Sequence, residues 1–292
     1  MQSLDKIKRR IKSVQTTSKI TGAMRLVATA KLKKQMNEFK VVSSFCHDFY
    51  QIIEDVARTV PNIKDQHKSN SKLWILISSS LGLCGSFNIN VCKHLTTLVS
   101  KQDKIIVIGQ KGYAYLKAHN LQDQIVDFVE ISDSNVNYFE LLPVTEKVMT
   151  AYSKDNINSV HIVYSKFINS LTFQPTDLQI FPLDYSLFKT NEENKIPSRV
   201  DLDQTKKEIL YEPSKQQIID GASPIYLTTS IFAAISESRV CENGARRNAM
   251  ETATDNAKDL IDDLTIQFNR ARQEHITQEI NEIVSGASGS VQ

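Results

Sequence analysis

Residues 250–271, METATDNAKDLIDDLTIQFNRA, carry the most informative pattern in the chain. Apolar or small side chains recur in it in steps of three and four, at Met250, Ala253, Ala257, Leu260, Leu264, Phe268 and Ala271. This spacing is the heptad signature of a coiled coil, and its alanines allow a partner helix to approach closely. Pro224 suits a first helical turn and Gly286 stops the pattern. The pattern therefore predicts one helix of about 60 residues, on the order of 90 Å long.

A second long helix is predicted at the other end of the chain. From Ser3 to Val60 there is no proline, the only glycine is Gly22, and Pro61 ends the run. Apolar residues recur at helical spacing, at Leu4, Ile7, Ile11, Val14, Ile20, Met24, Val27, Phe45, Phe49, Ile52 and Val56. Residues 1–40 hold eleven Lys or Arg, whereas residues 251–282 hold eight Asp or Glu. Opposite charges favour pairing, so we expect the two helices to form an antiparallel coiled coil.

The middle of the chain has the pattern of an α/β domain. Short β-branched and apolar runs predict buried strands at 72–78, 104–108 and 159–164, and helices are predicted at 87–99, 112–119 and 138–153. Residues 171–183 and 209–211 are expected to add antiparallel or edge strands, and the polar residues 190–204 a mobile loop. The predicted fold class is α+β or α/β, an antiparallel coiled coil of residues 1–60 and 213–292 with a Rossmann-like domain inserted at 70–212.

No motif in the sequence indicates a catalytic, cofactor or metal site. Glycine pairs follow two predicted strands, Gly82 with Gly85 and Gly109 with Gly112, but neither GxGxxG nor a Walker loop is present. These glycines are therefore interpreted as tight-turn residues, and no nucleotide or other cofactor is expected. GxSxG and HExxH are absent, and the histidines have no ligand spacing. The four cysteines form no CxxC pair, which favours reduced, structural thiols.

Two other classes of function are disfavoured. The basic N-terminal helix could bind nucleic acid, but no aromatic residue precedes Phe39 to stack on bases, and an acidic helix is available to cover its apolar stripe. No run of about 18 to 20 apolar residues is present, and no apolar signal core follows the basic N-terminus. We therefore expect neither nucleic-acid binding nor direct membrane insertion.

Several motifs resemble the gamma subunit of F-type ATP synthases. They are Lys19-Ile-Thr-Gly-Ala-Met-Arg-Leu-Val-Ala28, Gly82-Leu-Cys-Gly85, Leu210-Tyr-Glu-Pro213, Ala253-Thr-Asp-Asn-Ala257, Leu260-Ile-Asp-Asp-Leu264, Asn269-Arg-Ala-Arg-Gln273, and 276–288, ITQEINEIVSGAS. The resemblance implies a non-catalytic central shaft that couples a membrane ion-driven ring of c subunits to a catalytic ring of three alpha and three beta subunits. It also implies an epsilon subunit partner and a peripheral location on the cytoplasmic side of a bacterial cell membrane. The alternative is a diverged, gamma-like shaft of a specialised ATP-hydrolysing complex.

The resemblance further implies which residues contact partners. Met24 and Arg25 match positions where the shaft of the family meets the beta subunit, and Arg272 and Gln273 match positions that hydrogen-bond a beta-subunit loop. The sequence departs from the family pattern at Gly22, at Ser80, and at Gly244 within Cys241–Arg247.

Overall fold

The computed structural model describes residues 4–58, 71–131, 137–154, 157–182 and 211–289. The chain divides into two compact units. The first, here called the coil unit, contains residues 1–30 and 246–292, and the second, the sheet unit, contains residues 31–245. This division cuts across the expected domains 1–60, 70–212 and 213–292, which remain a prediction. The expected loop at 190–204 and most of the expected strand 209–211 lie outside the described residues.

Two long helices are present, as expected. Helix α1 spans Leu4–Arg58 and helix α5 spans Lys215–Gly289. In the coil unit, Thr21 Oγ1 lies 2.8 Å from Thr254 Oγ1, and Arg25 lies 3.3 Å from Glu251. The paired residue number in α5 falls as that in α1 rises, so the helices are antiparallel. The predicted antiparallel pairing is confirmed.

The buried face of α1 differs from the predicted one. The apolar stripe expected from the sequence includes Ile20, Val27, Phe45 and Ile52, but these side chains are 55 to 60% exposed. The buried and half-buried positions instead follow an unbroken heptad: 4, 7, 11, 14, 18, 21, 25, 28, 32, 35, 39, 42, 46, 49, 53 and 56. All but one of its members between residues 18 and 35 are small or polar, the exception being Leu32, so hydrophobicity alone places the stripe on the wrong face there.

The buried face of α5 in the coil unit agrees more closely with the sequence. Met250, Ala257 and Leu264 are buried, and Phe268 and Ala271 are half-buried. Leu260, however, is exposed, and its neighbour Ile261 takes the inward position. The inward positions 250, 254, 257, 261, 264, 268 and 271 therefore keep a strict heptad.

The predicted start of α5 near Pro224 is wrong, because the helix begins nine residues earlier at Lys215 and contains Pro224. Ser214 caps this start, since its Oγ accepts a hydrogen bond from the backbone N–H of Gln217 at 3.2 Å. The Ser-x-x-Gln spacing is a sequence signal for a helix start. Pro224 removes one helical hydrogen bond. Burial of Ile219 before it and Tyr226 after it holds the helix together.

The sheet unit contains a five-stranded sheet in the order β3-β2-β1-β4-β5. Its strands are β1 Ser71–Ile77, β2 Lys104–Ile108, β3 Ile125–Val129, β4 Ile157–Phe167 and β5 Phe173–Phe181. The helices between them are α2 Phe87–Leu98, α3 Gln110–Ala118 and α4 Leu142–Lys154. All strand pairs are parallel except β4 with β5. The Rossmann-like domain and its antiparallel edge are thus confirmed.

Strand β3 is not predicted from the sequence. Its five residues, IVDFV, are half-buried or exposed, so they lack the continuous apolar run that identifies β1 and β2. The segment is a strand because it pairs in parallel with β2, from Ile105 opposite Ile125 to Ile108 opposite Val129. Its strand character is a product of tertiary pairing.

A small buried polar cluster surrounds Trp74 on one face of the sheet. The imidazole of His161 stacks on the Trp74 indole with ring centroids 4.6 Å apart, and its Nε2 lies 2.9 Å from Ser159 Oγ. Burial lowers the pKa of His161 from its ordinary 6.5 to about 4, and the nearby charge of Lys72 acts in the same direction. The folded protein therefore holds this histidine neutral.

His161 is expected to make stability depend on pH. Its folded pKa lies below its unfolded pKa, so its contribution is complete above pH 6.5 and is lost as the pH falls from 6.5 towards 4. We expect a loss of about 2 kcal/mol across this range. Urea unfolding followed by the fluorescence of Trp74, the single tryptophan, measures it. His161→Phe is the control, and an equal pH dependence in both proteins would contradict the prediction.

Candidate partner-binding surfaces

Arg25 lies on the inward side of α1, where it meets α5. Its guanidinium forms an ion pair with Glu251, and the two side chains are 42% and 51% exposed. Beside it, the hydroxyls of Thr21 and Thr254 share a hydrogen bond. Polar contacts inside a coiled coil specify the register of its helices. Arg25 therefore serves the pairing of α1 with α5, and its exposed part remains a candidate for partner contact.

The other expected contact residues occupy different environments. Met24 is half-buried on α1, whereas Arg272 and Gln273 are exposed on α5. From Glu251, the ion-pair partner of Arg25, to Arg272, α5 rises by about 30 Å at 1.5 Å per residue. The four residues therefore form two separate patches. Their role as partner contacts stays a prediction.

Apolar side chains are exposed near the carboxyl end of α5. Ile276, Ile280 and Ile283 are 46%, 53% and 71% exposed. The antiparallel pairing sets Thr254 against Thr21, so residue 271 lies level with Leu4, the first described residue of α1. Beyond that point no described segment of α1 lies beside α5, and the three isoleucines lie next to the continuation of its inward heptad at 275, 278 and 282. The sequence pattern does not single out this surface, although the unequal reach of the two helices follows from their register.

A second exposed apolar surface lies on α1 in the coil unit. It is formed by Ile20, Leu26 and Val27, which are 55%, 66% and 57% exposed. They follow the heptad positions turned away from α5, and basic residues surround them in the sequence, including Lys19 and Lys31. Apolar groups bordered by positive charge suit an acidic protein surface with apolar side chains of its own.

The crevice at the carboxyl ends of the parallel strands is filled in the sheet unit. In open α/β sheets this crevice, at the point where strand order reverses, is where ligands bind. Here β1 is the reversal point, and the cavity beside it has a volume of about 30 Å³. Its walls include residues of α5, namely Ile235, Ser238, Arg239 and Glu242. Such a volume suits one water molecule, so α5 occupies the place of a nucleotide.

Gly85 and Gly109 have positive φ angles, as predicted for turn glycines, whereas Gly112 lies inside helix α3. Gly109 has φ +99°, and a Cβ atom there would lie 2.2 Å from the carbonyl oxygen of Ser78. A Cβ atom at Gly112 would lie 2.6 Å from Ser78 Oγ, which accepts the Gly112 N–H at 2.9 Å. Glycine thus allows the turn after β2 to pack directly on the end of β1. These contacts explain the glycines without a phosphate.

Neither metal nor thiol chemistry is indicated in the described part of the chain. It contains no group of three or more His, Cys, Asp or Glu side chains that could hold a metal ion. All four cysteines are buried thiols outside any disulfide. Burial raises the pKa of Cys46 to about 11 and that of Cys92 and Cys241 to about 12, so these thiols are unreactive near neutral pH.

One part of α5 is apolar enough, by length and composition alone, to span a membrane, with a mean hydropathy of 1.4 over an 18-residue window. Half of this window is buried inside the protein. The expectation that the chain does not insert into the membrane stays a prediction.

The chain combines two long paired helices with a five-stranded, mostly parallel sheet, which is the fold class that the sequence predicts. The family model for ATP synthase matches residues 3–289. The ATP synthase gamma chain of Malacoplasma penetrans is 39% identical over 294 residues, covering 99% of this chain and 100% of the relative. That of Ureaplasma urealyticum is 36% identical, covering 98% and 99%. The chain therefore belongs to the gamma-chain family of ATP synthases.

Solved structures agree in fold. A rotor chain of the Euglena gracilis mitochondrial ATP synthase has a TM-score of 0.68 at 16% identity, covering 94% of this chain and 99% of that one. A central stalk or c-ring chain of the Tetrahymena thermophila mitochondrial enzyme has a TM-score of 0.60 at 21% identity, covering 80% and 99%. As a gamma chain, the protein is a non-catalytic subunit with a central-stalk role, and catalysis belongs to the beta subunits.

Proposed function

We propose that the chain rotates inside a ring of three alpha and three beta subunits and binds the epsilon subunit and the membrane c-ring. Rotation then couples ion flow to ATP synthesis or hydrolysis. Each beta subunit changes conformation because its contact with each successive face of the shaft has a different free energy. The solved structures of similar chains, which belong to rotor, central stalk and c-ring assemblies, support this arrangement.

The observation that carries the proposal is the protruding end of α5. Ile276, Ile280 and Ile283 expose an apolar surface on the part of α5 that extends beyond Leu4, the first described residue of α1. Exposed apolar surface of this kind marks a binding site. A narrow helix with apolar sides suits a sleeve of partner subunits, because non-directional apolar contacts hold it at many rotation angles.

Co-purification of the tagged chain, with identification and stoichiometry of its partners, tests the assembly. Three alpha and three beta subunits per chain, with epsilon and c subunits, are the expected result. Replacing Ile276, Ile280 and Ile283 with serine should reduce alpha and beta recovery while leaving the circular dichroism spectrum unchanged. Unchanged recovery would contradict the proposed sleeve. A complex that only hydrolyses ATP would favour the specialised alternative.

We further propose a peripheral location on the cytoplasmic side of a bacterial cell membrane. The similar gamma chains described above come from bacteria, as does that of Mycoplasmoides gallisepticum, which is 36% identical. Cell fractionation should find the chain with the membranes, and treatments that release peripheral proteins should release it without detergent. A detergent requirement would contradict a peripheral attachment.

Arg272→Ala is expected to weaken coupling more than assembly. The side chain is exposed on α5, so its loss leaves the coil intact, while one charge-assisted hydrogen bond to a partner would be lost. Ion-driven ATP synthesis should fall by about 2- to 10-fold at unchanged subunit stoichiometry. Arg270→Ala, an equal charge change at an exposed position of α5, is the control. Synthesis equal to that of the control would contradict a special role for Arg272.

A further inference from the structure

Three residues of α5 form a face that holds the end of the β4–β5 hairpin. Glu237, Cys241 and Gly244 are spaced by four and three residues, which places them on one side of a helix. Their partners Ser165, Phe167 and Phe173 lie where β4 ends and β5 begins. All six residues belong to the sheet unit.

Two of the three contacts are hydrogen bonds to the backbone of β4. Glu237 Oε1 accepts the N–H of Phe167 at 2.9 Å, and the thiol of Cys241 donates to the carbonyl oxygen of Ser165 at 3.2 Å. Both fix the position of the strand along the helix axis, since a hydrogen bond weakens when its atoms shift.

The third contact is a ring packed directly on the helix backbone. A Cβ atom at Gly244 would lie 2.5 Å from Cζ and 3.0 Å from Cε1 of Phe173. Glycine in a helix interior costs about 1 kcal/mol relative to alanine, but here it opens the space that the ring fills. The departure of Gly244 from the family pattern is thus explained within the chain.

Contacts within the hairpin hold this ring in position. Phe167 is the register partner of Phe173, and their ring centroids lie 6.3 Å apart. In the turn, Asn169 Oδ1 accepts the N–H groups of Leu171 and Thr172 at 2.9 and 2.8 Å. The rings also pack with a buried cluster of Cys84, Phe87 and Cys241. The contact therefore belongs to an apolar cluster at the edge of the sheet, beside a cavity of about 230 Å³ that Phe173 and Ala245 also line.

This region lies where the sheet unit ends along α5. The border between the units follows Ala245, directly after Gly244. Strand β5 ends at Phe181 and α5 begins at Lys215, so the two elements are not adjacent in sequence. Side-chain contacts therefore hold the strand to the helix here. These contacts add to the burial of Tyr226, Leu227, Ile231, Ala234 and Ile235, through which α5 also packs on the sheet.

We propose that Gly244 and Phe173 are positioning residues of the shaft, whose contact locks α5 to the sheet edge so that rotation passes along α5 without slip. This inference rests on the proposed rotary function. The lock requires a match of sizes, because a methyl group at residue 244 would displace the ring of Phe173. It contributes to coupling and does not touch ATP.

The test uses the assembled complex in liposomes with an imposed ion gradient, and compares ATP synthesis with ATP hydrolysis. Gly244→Ala should lower the ratio of synthesis to hydrolysis by about tenfold, since small displacements of coupled parts are costly. Gly221→Ala is the matched control, because it makes the same change in α5 where nothing lies within 4 Å of the new Cβ. Its ratio should equal that of the parent.

Compensation distinguishes the lock from a general loss of stability. Gly244→Ala combined with Phe173→Leu should recover most of the ratio, since a shorter side chain makes room for the methyl group. If Gly244→Ala fails to assemble, Phe173→Leu alone decides, with a reduced ratio expected at normal stoichiometry. A parent-like ratio in Gly244→Ala, or in Phe173→Leu, overturns the lock. A parent complex that does not couple at all overturns the proposed function, and the lock with it.

Discussion

Leu264→Arg is expected to destabilise the coil unit by about 3 kcal/mol, because it places an unpaired charge between two helices. Leu264 is 3% exposed and lies at an inward heptad position of α5. Far-ultraviolet circular dichroism during urea unfolding reports the loss of helix. Trp74 fluorescence reports the sheet unit, which contains the only tryptophan.

Leu260→Arg provides the matched control four residues earlier. Leu260 is 37% exposed, so an arginine there can reach water, and the expected cost is below about 1 kcal/mol. In Leu264→Arg, the urea midpoint of the transition followed by circular dichroism should fall. The midpoint of the transition followed by Trp74 fluorescence should not change. Equal effects of the two substitutions would show that the inward face of α5 has been assigned incorrectly.

Asp103→Ala is expected to lower the free energy of unfolding of the sheet unit by about 3 to 5 kcal/mol. Asp103 is 3% exposed, and its carboxylate accepts three N–H groups. These are Lys72 N at 2.9 Å, Trp74 Nε1 at 3.0 Å and Ser100 N at 2.8 Å. Alanine would leave all three donors without this acceptor, and unsatisfied buried donors are costly.

Trp74 fluorescence measures this effect directly, since its indole N–H is one of the donors. Asp123→Ala is the control, because Asp123 is an exposed aspartate of the same unit. The Trp74 transition should shift strongly in Asp103→Ala and remain within about 0.5 kcal/mol of the parent in Asp123→Ala. Similar shifts in both would mean that the hydrogen bonds of Asp103 contribute little.

The candidate site was predictable only in part. Exposure of Arg272 and Gln273 agrees with a role in partner contact, but the structure places Arg25 against Glu251. A charged residue on a helix is ordinarily expected to face solvent, so its position between two helices depends on an acidic partner in another element. Such a pairing between residues 25 and 251 leaves no local signal in the sequence.

Local pattern in the sequence was sufficient to predict most of the helices and strands. The heptads at both ends, the opposite charges, and the apolar runs of β1, β2 and β4 identified an antiparallel coil with a mostly parallel sheet between its helices. These signals are local because helix and strand periodicities are properties of neighbouring residues. The turn at Gly109 was predictable for the same reason.

The choice of buried faces, by contrast, depends on tertiary packing. On α1, Thr21 and Arg25 face α5, while Ile20 and Val27 face away, because the partner helix and not hydrophobicity selects the buried face. Strand β3 likewise exists through its pairing with β2. Gly244 is a poor helix residue by propensity alone, and it is explained only by Phe173, which is distant in sequence and packs against it. In each case the cause lies in a residue far along the chain, which local pattern does not contain.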